Sequence, residues 1–109
     1  MIASALRQNP EITAVLACTD RIAKSAYKAA HDLNWDIPGR LSIAGVADLN
    51  YSALLHPPLT TVRQNGYAVG RQAAQAVLER SAGLLSGQPR VYQIPVTLIE
   101  RGSTAAVSP

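Results

Sequence analysis

The sequence predicts an α/β fold with a parallel sheet assembled from βαβ units. Short apolar runs at 12–18 and 41–46 have the length and β-branched content of buried strands. Between them apolar residues recur at helical spacing, so strand, helix and strand follow one another within about 35 residues. Apolar residues make up 48% of the 109-residue chain, which suffices for one core and excludes global disorder.

The elements of the first half can be assigned in order. The first ten residues predict the end of a helix, because the residue before Pro10 disfavours helical backbone. The strand at 12–18 is followed by Thr19 and Asp20, which are both good N-cap residues. The apolar positions of 22–33 then predict an amphipathic helix, and the turn-forming residues at 34–39 end it.

The second half predicts shorter and less regular elements. After the strand at 41–46, Asp48 can cap a short helix that reaches Leu55 and ends before two prolines. Residues 59–63 predict a short extended piece, and 67–85 a long helix with one apolar face. Residues 91–99 alternate like a strand. We expect the tail from Gly102 to Pro109 to be a frayed end.

Composition excludes several classes of protein. The net charge of +3 is spread thinly, whereas a nucleic-acid reader usually concentrates its basic residues on one face. No apolar run approaches the roughly 18 residues of a membrane span, and the start of the chain lacks the pattern of a signal peptide. The lone Cys18 excludes an internal disulfide and fits a reducing cytoplasm, where we expect the protein to reside.

No catalytic, metal or cofactor motif is evident. The glycines form neither a dinucleotide-binding nor a phosphate-binding pattern, and no nucleophile-elbow motif occurs. His31 and His56 have no metal-ligand partner at helical spacing. Cys18 is expected to be a structural residue at the end of a core strand. We therefore expect no catalytic residue, no bound metal and no cofactor.

Two carboxylates stand where the predicted parallel strands end. Ligands of open parallel sheets bind outside the carboxyl ends of the strands, so Asp20 and Asp48 could accept hydrogen bonds from a ligand. The alternative is that each simply caps the helix that follows it. Residue type and spacing leave both interpretations open.

Five segments carry patterns that occur together, in the same order, in lactose-repressor-like (LacI/GalR) transcription regulators. AVLACTDRIA at 14–23 resembles their AxxxANDxxA, and WDIPGRLSIAGVAD at 35–48 resembles GLRVPxDVSVxGFDD. PPLTTVRQ at 57–64 matches theirs almost letter for letter. GRQAA at 70–74 and IPVTLIERGST at 94–104 resemble their GRxAA and closing LPxxLVxRxST. The resemblance covers nearly the whole chain.

This resemblance implies an incomplete type I periplasmic-binding-protein-like fold. Residues 1–109 would be a C-terminal fragment of an effector-binding and dimerisation domain. Residues 1–63 and about 91–101 would lie in its C-terminal subdomain, and the helix at about 66–86 in its N-terminal subdomain. In the family two subdomains close around a small, often sugar-like molecule. DNA would be bound only through a headpiece absent from this chain, and no membrane partner is implied.

The resemblance also implies effector-binding positions. The family's effector-contacting Asn corresponds to Thr19, and the first Asp of its GFDD motif corresponds to Ala47. Asp20, Asp48 and Gln64 are retained. Because Thr19 lacks an amide and Ala47 lacks a carboxylate, we expect either an effector with fewer hydroxyl groups than a typical sugar or no effector at all.

The family dimerises through the helix after the first motif and the loop after the second. The implied interface of a homodimer or higher homo-oligomer comprises Lys24, Tyr27, Lys28, Leu49, Tyr51, Leu54 and Leu55. The alternative for Leu54 and Leu55 is that they pack beneath the loop at 57–61. We further expect the apolar face of the helix at 66–86 to be covered by another copy or by segments outside this chain.

Two other functions remain as alternatives. The chain could be a fragment of a sugar-binding protein from an uptake system, which shares the fold. Less favoured is a small α/β enzyme with Asp20 or Asp48 as a base, since no acid, nucleophile or cofactor motif accompanies them.

Overall fold

The computed structural model describes residues 1–107 and contains a four-stranded sheet flanked by helices. The elements, in chain order, are α1 (Ile2–Gln8), β1 (Ala14–Leu16), α2 (Asp20–Asp32), β2 (Ser42–Val46), a 3₁₀ helix (Ser52–Leu54), β3 (Thr60–Arg63), α3 (Gly66–Ser81) and β4 (Thr97–Ile99). The predicted α/β fold and the βαβ unit are confirmed. No helix among residues 1–107 has the length and apolar character that crossing a bilayer requires.

The sheet has the order β1-β2-β3-β4, and its first three strands are parallel. Leu16 pairs with Ala44, and Ala44 pairs with Thr60, so these three residues share one rung. Strand β4 pairs antiparallel with β3, which sets Thr97 beside Arg63. The carboxyl ends of β1, β2 and β3 therefore lie at the same edge of the sheet, which we call the carboxyl edge.

Helix α2 contributes four of the nine buried apolar residues of the core. Thr19 is its N-cap, with its hydroxyl oxygen accepting a 3.3 Å hydrogen bond from the amide of Ile22. Small residues at helical spacing are buried against the sheet and α1, which lets the backbones approach closely. The buried apolar residues are Leu6, Ala17, Ala23, Ala26, Ala29, Ala30, Leu41, Ile43 and Leu59.

The C-terminal segment is fixed where a frayed end was expected. Ser103 is fully buried, and its hydroxyl donates to the carbonyl of Ile43 at 2.5 Å while accepting from the amide of Thr60 at 2.8 Å. The carbonyl of Ser103 also accepts from the amide of Ile43. This residue therefore bridges β2 and β3. The expectation of fraying is wrong for 102–105, and its last two residues, 108–109, lie outside the described part.

Three other boundaries differ from the sequence prediction. Only Thr97–Ile99 of the predicted strand at 91–99 forms a strand, and it pairs with residues 61–63 of β3. Helix α3 ends at Ser81, just before Gly83, whose φ of 76° is left-handed. The short helix predicted from Asp48 is a single 3₁₀ turn, since Asp48 itself has a φ of 54°.

The chain divides into two compact units. One comprises residues 1–63 together with the chain from Thr97 onward, and it contains the whole sheet. The other spans Gln64–Val96 and contains α3. No residue of α3 is buried, and large apolar side chains such as Tyr67, Val77 and Leu78 are exposed.

Candidate functional site

The parallel register brings the predicted site positions of the first unit to the carboxyl edge. Leu16, Ala44 and Thr60 share a rung, and Thr19, Ala47 and Arg63 each follow three residues beyond it. Asp20 and Asp48 follow four residues beyond it, on β1 and β2 respectively. Loops that leave the same edge of a parallel sheet are the usual location of ligand sites in open α/β folds.

Asp20, the first residue of α2, lies at the centre of a buried hydrogen-bond network. Its side chain is fully buried, and Oδ1 accepts from the hydroxyl of Thr61 at 2.6 Å. Its Oδ2 accepts from the hydroxyl of Ser52 at 2.5 Å and from the amide of Leu49 at 3.0 Å. The network joins α2 to β3 and to the loop that follows β2.

This burial contradicts both expectations for the Asp20 side chain. The N-cap of α2 is Thr19, so Asp20 is not the capping residue. Both carboxylate oxygens are engaged inside the protein, so neither is presented to a ligand. Asp20 is a positioning residue that fixes the loop after β2 against the sheet. A Cβ at Gly45 would collide with Oδ1 of Asp20, which explains a glycine at that position.

Asp48 is held between two arginines at the same edge. Its Oδ1 accepts from Nη2 of Arg101 at 2.7 Å, and its Oδ2 accepts from Nε of Arg63 at 2.7 Å. The hydrogen bond from Arg101 lowers the pKa of Asp48; partial burial opposes this, and Arg63 adds to it. Asp48 is therefore a charged anchor for two guanidinium groups and does not cap the 3₁₀ helix.

The two arginines differ in what remains for other partners. The Arg101 side chain is 15% exposed, and its Nη1 already donates to the carbonyl of Leu59 at 3.0 Å. The Arg63 side chain is 57% exposed and contacts Asp48 through Nε. Arg63 is also the last residue of β3, where the chain leaves the sheet. Neither arginine was among the candidate site residues predicted from the sequence.

The remaining predicted effector positions are accessible or partly so. Thr19 is exposed beside the start of α2, and Ala47 is half-buried with a left-handed φ of 118°. The amide of Ala47 donates to the carbonyl of Val62 at 2.8 Å, which continues the pairing of β2 with β3. Gln64 is exposed and directly follows Arg63 in the chain.

Some of the residues expected at a dimer interface lie next to one another in the structure. The ammonium of Lys24 lies 4.6 Å from the ring centre of Tyr51, which joins α2 to the loop at 49–55. The hydroxyl of Tyr27 donates to the carbonyl of Pro57 at 2.8 Å. Lys28 forms an exposed ion pair with Asp32 at 2.8 Å.

The two leucines of this loop behave differently. Leu55 packs against the core, as the alternative interpretation expected. Leu54 is 72% exposed, and Leu49 is 38% exposed, so both present apolar area to solvent. The surface formed by Lys24, Tyr51, Leu49 and Leu54 is therefore available for association, and we call it the α2–loop surface.

The described residues include no group of three or more histidines, cysteines or carboxylates arranged to hold a metal ion. Cys18 is an exposed free thiol rather than the buried core residue that the sequence suggested. Partners that the sequence analysis missed are Thr61 and Ser52 for Asp20, and Arg63 and Arg101 for Asp48. Only the tertiary pairing of distant segments reveals them.

Comparison with known proteins gives one consistent family. The model of the periplasmic binding protein-like domain matches residues 1–104. The HTH-type transcriptional regulator MalR of Streptomyces coelicolor is 36% identical over 96 residues, which cover 88% of this chain and 28% of MalR. The ribose operon repressor of Haemophilus influenzae is 39% identical over 79 residues, 72% of this chain and 24% of the repressor.

Solved structures agree with this result. A LacI family transcriptional regulator from Enterococcus faecium with bound ribose has 26% identity and a TM-score of 0.82, covering 98% of this chain and 39% of that one. The Lac repressor dimer bound to operator and the anti-inducer ONPF has 26% identity and a TM-score of 0.82, covering 95% and 36%.

The chain spans between 24% and 31% of the length of curated relatives such as the ribose operon repressor and PurR of Haemophilus influenzae. These relatives are transcription regulators and not enzymes, in agreement with the absence of a catalytic motif from the sequence. They also give no support to the alternative of an uptake protein. The chain belongs to the periplasmic binding protein-like domain family, in the form found in LacI/GalR-type transcription regulators.

Proposed function

We propose that this chain is the effector-sensing and dimerisation part of a cytoplasmic LacI/GalR-type regulator. A small molecule of the sugar class binds at the carboxyl edge and changes the closure of two lobes. The closed and open forms differ in their affinity for DNA, which is bound through a headpiece outside this chain. Such control is a shift of population between two states, driven by the effector's preference for one of them.

The observation that carries this proposal is the arrangement of the carboxyl edge. Loops from three parallel strands converge there, and the chain leaves the sheet at Arg63 and returns beside it at Thr97. A ligand at this edge would lie beside the points where the chain leaves the sheet at Arg63 and re-enters it at Thr97.

The known ligands and names of related proteins favour a sugar-class effector. One structural neighbour contains ribose, and one curated relative is a ribose operon repressor. The Lac repressor neighbour is a dimer bound to operator DNA. We extend these properties to this chain as a proposal about the protein of which it forms part.

We assign the first unit, residues 1–63 with the chain from Thr97 onward, to the C-terminal lobe, and residues 64–96 to the N-terminal lobe. In this assignment Thr19 and Ala47 line the C-terminal wall of the effector site. Gln64, which directly follows Arg63 in the chain, is a further proposed effector contact. Asp20 and Asp48 position this wall through their hydrogen bonds and ion pairs.

We further propose that the α2–loop surface is the dimer interface. The Lys24–Tyr51 contact holds the loop against α2, and exposed Leu54 supplies apolar area at its centre. Tyr27 and Lys28 extend the interface along the helix, and Leu55 supports the loop from beneath.

A ligand screen on the full-length regulator tests the effector proposal. Its melting temperature would be measured with a panel of sugars, sugar acids, sugar phosphates and nucleobases, followed by calorimetric titration of any ligand that raises it. We expect Gln64→Ala to weaken binding of that ligand by about tenfold, the effect of losing one good hydrogen bond. Exposed Gln93, replaced by Ala, is the matched control. A panel without any stabilising ligand would count against effector sensing.

A further inference from the structure

The carboxyl edge has an unusual balance of hydrogen-bond donors and acceptors. Two guanidinium groups, those of Arg63 and Arg101, share the single carboxylate of Asp48. The only other carboxylate at this edge, Asp20, is buried with both oxygens occupied. The two arginines and two carboxylates balance in number, but the carboxylates are buried or paired, whereas the Arg63 guanidinium is largely exposed to solvent.

Neutral sugars need acceptors as well as donors, because each hydroxyl group donates one hydrogen bond. The position where the family has an effector-contacting aspartate is Ala47, which has no side-chain acceptor. Both oxygens of Asp48 already accept from arginines. The carboxylates of Asp20 and Asp48 are thus not free to accept from the hydroxyl groups of a neutral sugar.

Hydrogen-bond donors at this edge, in contrast, remain available to a ligand. Arg63 uses Nε for Asp48, and no contact within residues 1–107 occupies its Nη1 or Nη2. Its side chain is 57% exposed. The hydroxyl of Thr19 accepts from the amide of Ile22, so its own proton is left to donate. Thr19 also stands at the start of the 13-residue helix α2, where the helix dipole favours negative charge.

The distance between Thr19 and Arg63 allows one ligand to reach both donors. Thr19 and Arg63 lie three residues beyond the same rung, on β1 and β3. Neighbouring strands are about 4.8 Å apart, so two strand positions separate the donors by about 10 Å. A single small molecule can span that distance, with the long Arg63 side chain covering part of it.

We propose that the effector carries a negatively charged group, a carboxylate or a phosphate, and that this group pairs with the free edge of the Arg63 guanidinium. Asp48 is the positioning residue that holds this guanidinium by Nε and leaves its two terminal amino groups for the ligand. Two parallel N–H donors suit a carboxylate or phosphate geometrically. This inference rests on the proposed function, since it names the chemical class of the effector at that same site.

The test uses calorimetric titration of the full-length regulator with three matched ligands: ribose, ribonate and ribose 5-phosphate. We expect one of the two anions to bind at least tenfold more tightly than ribose, and which one it is distinguishes carboxylate from phosphate. Arg63→Gln should weaken binding of the anion by about 10- to 100-fold and binding of ribose by a smaller factor. Arg63→Lys should recover part of that loss, since it keeps the charge but not the paired donors.

The controls separate this inference from the proposed function and from misfolding. Arg7→Gln removes an exposed arginine near the end of α1, outside the carboxyl edge, and should not change anion binding. Thermal melting of each variant verifies that it is folded. Tighter binding of ribose than of both anions, or anion binding that Arg63→Gln leaves intact, overturns the inference while effector sensing stands. If no sugar or anion of the wider panel binds, both the anionic-effector inference and the proposed effector sensing are wrong.

Discussion

The Oδ1 atom of Asp20 accepts a 2.6 Å hydrogen bond from the hydroxyl of Thr61, which ties the first residue of α2 to the middle of β3. Both residues are fully buried. With Ser52 and the amide of Leu49 on the other oxygen, the carboxylate connects three segments that are distant in sequence. The shape of the carboxyl edge depends on this one side chain.

Replacing Asp20 by Asn should destabilise the chain substantially. The side-chain NH₂ group of Asn would replace one of the two carboxylate oxygens. In one orientation it would face the Ser52 hydroxyl and the Leu49 amide, and in the other the Thr61 hydroxyl. In either case the donors that it faces would lose their acceptor. We expect a loss of about 2–4 kcal/mol in the free energy of unfolding, measured by urea denaturation. Glu100→Gln, at an exposed site, is the control. Equal stability of D20N and E100Q would refute the role of this network.

Two glycine substitutions should have opposite effects. A Cβ at Gly45 would collide with Oδ1 of Asp20 and lie 3.2 Å from Cδ2 of Leu59, so Gly45→Ala should cost about 1–3 kcal/mol. Gly70 lies within α3 with open space around it, so Gly70→Ala should stabilise that helix by about 0.5–1 kcal/mol. Urea denaturation followed by circular dichroism measures both. Tolerance of Gly45→Ala would show that Asp20 can move.

Acid should weaken the contribution of Asp48. Arg101, and then Arg63, hold the pKa of Asp48 below its value in the unfolded chain, so the ionised side chain favours folding. This stabilisation is complete above the unfolded pKa of about 3.9 and is lost as the pH falls through the lower, folded pKa. The wild type should therefore exceed Asp48→Asn in stability at pH 6, with the difference shrinking below about pH 4.

The comparison for this pH prediction is Asp32→Asn. The hydrogen bond from Lys28 also lowers the pKa of Asp32, but the pair is exposed, with side-chain exposures of 75% for Lys28 and 44% for Asp32. Solvent screening makes such surface pairs weak, so Asp32→Asn should change the pH profile less. The unfolding free energies of the wild type and both variants, measured at pH 6, 4 and 3, give the two pH profiles to be compared. A pH-independent difference for Asp48→Asn would contradict the assigned ion pairs.

Leu54→Glu should weaken dimerisation. Leu54 is 72% exposed at the centre of the α2–loop surface, and a carboxylate there would have to lose water on association. Sedimentation of the full-length regulator should show at least a tenfold rise in the dimer dissociation constant, with Ala106→Glu as an exposed control. If Leu54→Glu leaves the dimer dissociation constant unchanged, the α2–loop surface is not the dimer interface.

The sequence predicted the elements that depend on local pattern. The strand, helix and strand from 14 to 46 follow from apolar periodicity, and Thr19 was identified as a possible N-cap from its type and position. Strand β4 was predicted too long, because alternation at 91–99 does not show how much partner strand is available. The end of α3 follows from the left-handed Gly83, which the apolar face alone did not indicate.

The candidate site was less predictable, because its chemistry depends on tertiary pairing. Nothing in the spacing of Asp20 and Asp48 distinguishes a ligand contact from an internal one. The distinction comes from Thr61, 41 residues away, and Arg101, 53 residues away. Ser103 was taken for part of a frayed tail for the same reason, since its partners Ile43 and Thr60 lie far back in the sequence.

Binding of an effector at the carboxyl edge can be tested by hydrogen exchange of the full-length regulator with and without a stabilising ligand. We expect slower amide exchange at 17–20, 46–49 and 62–65 when the ligand is present. Peptides covering 1–8, on α1, serve as the internal reference and should not change. Protection confined to other segments, with none at these three, would contradict the account.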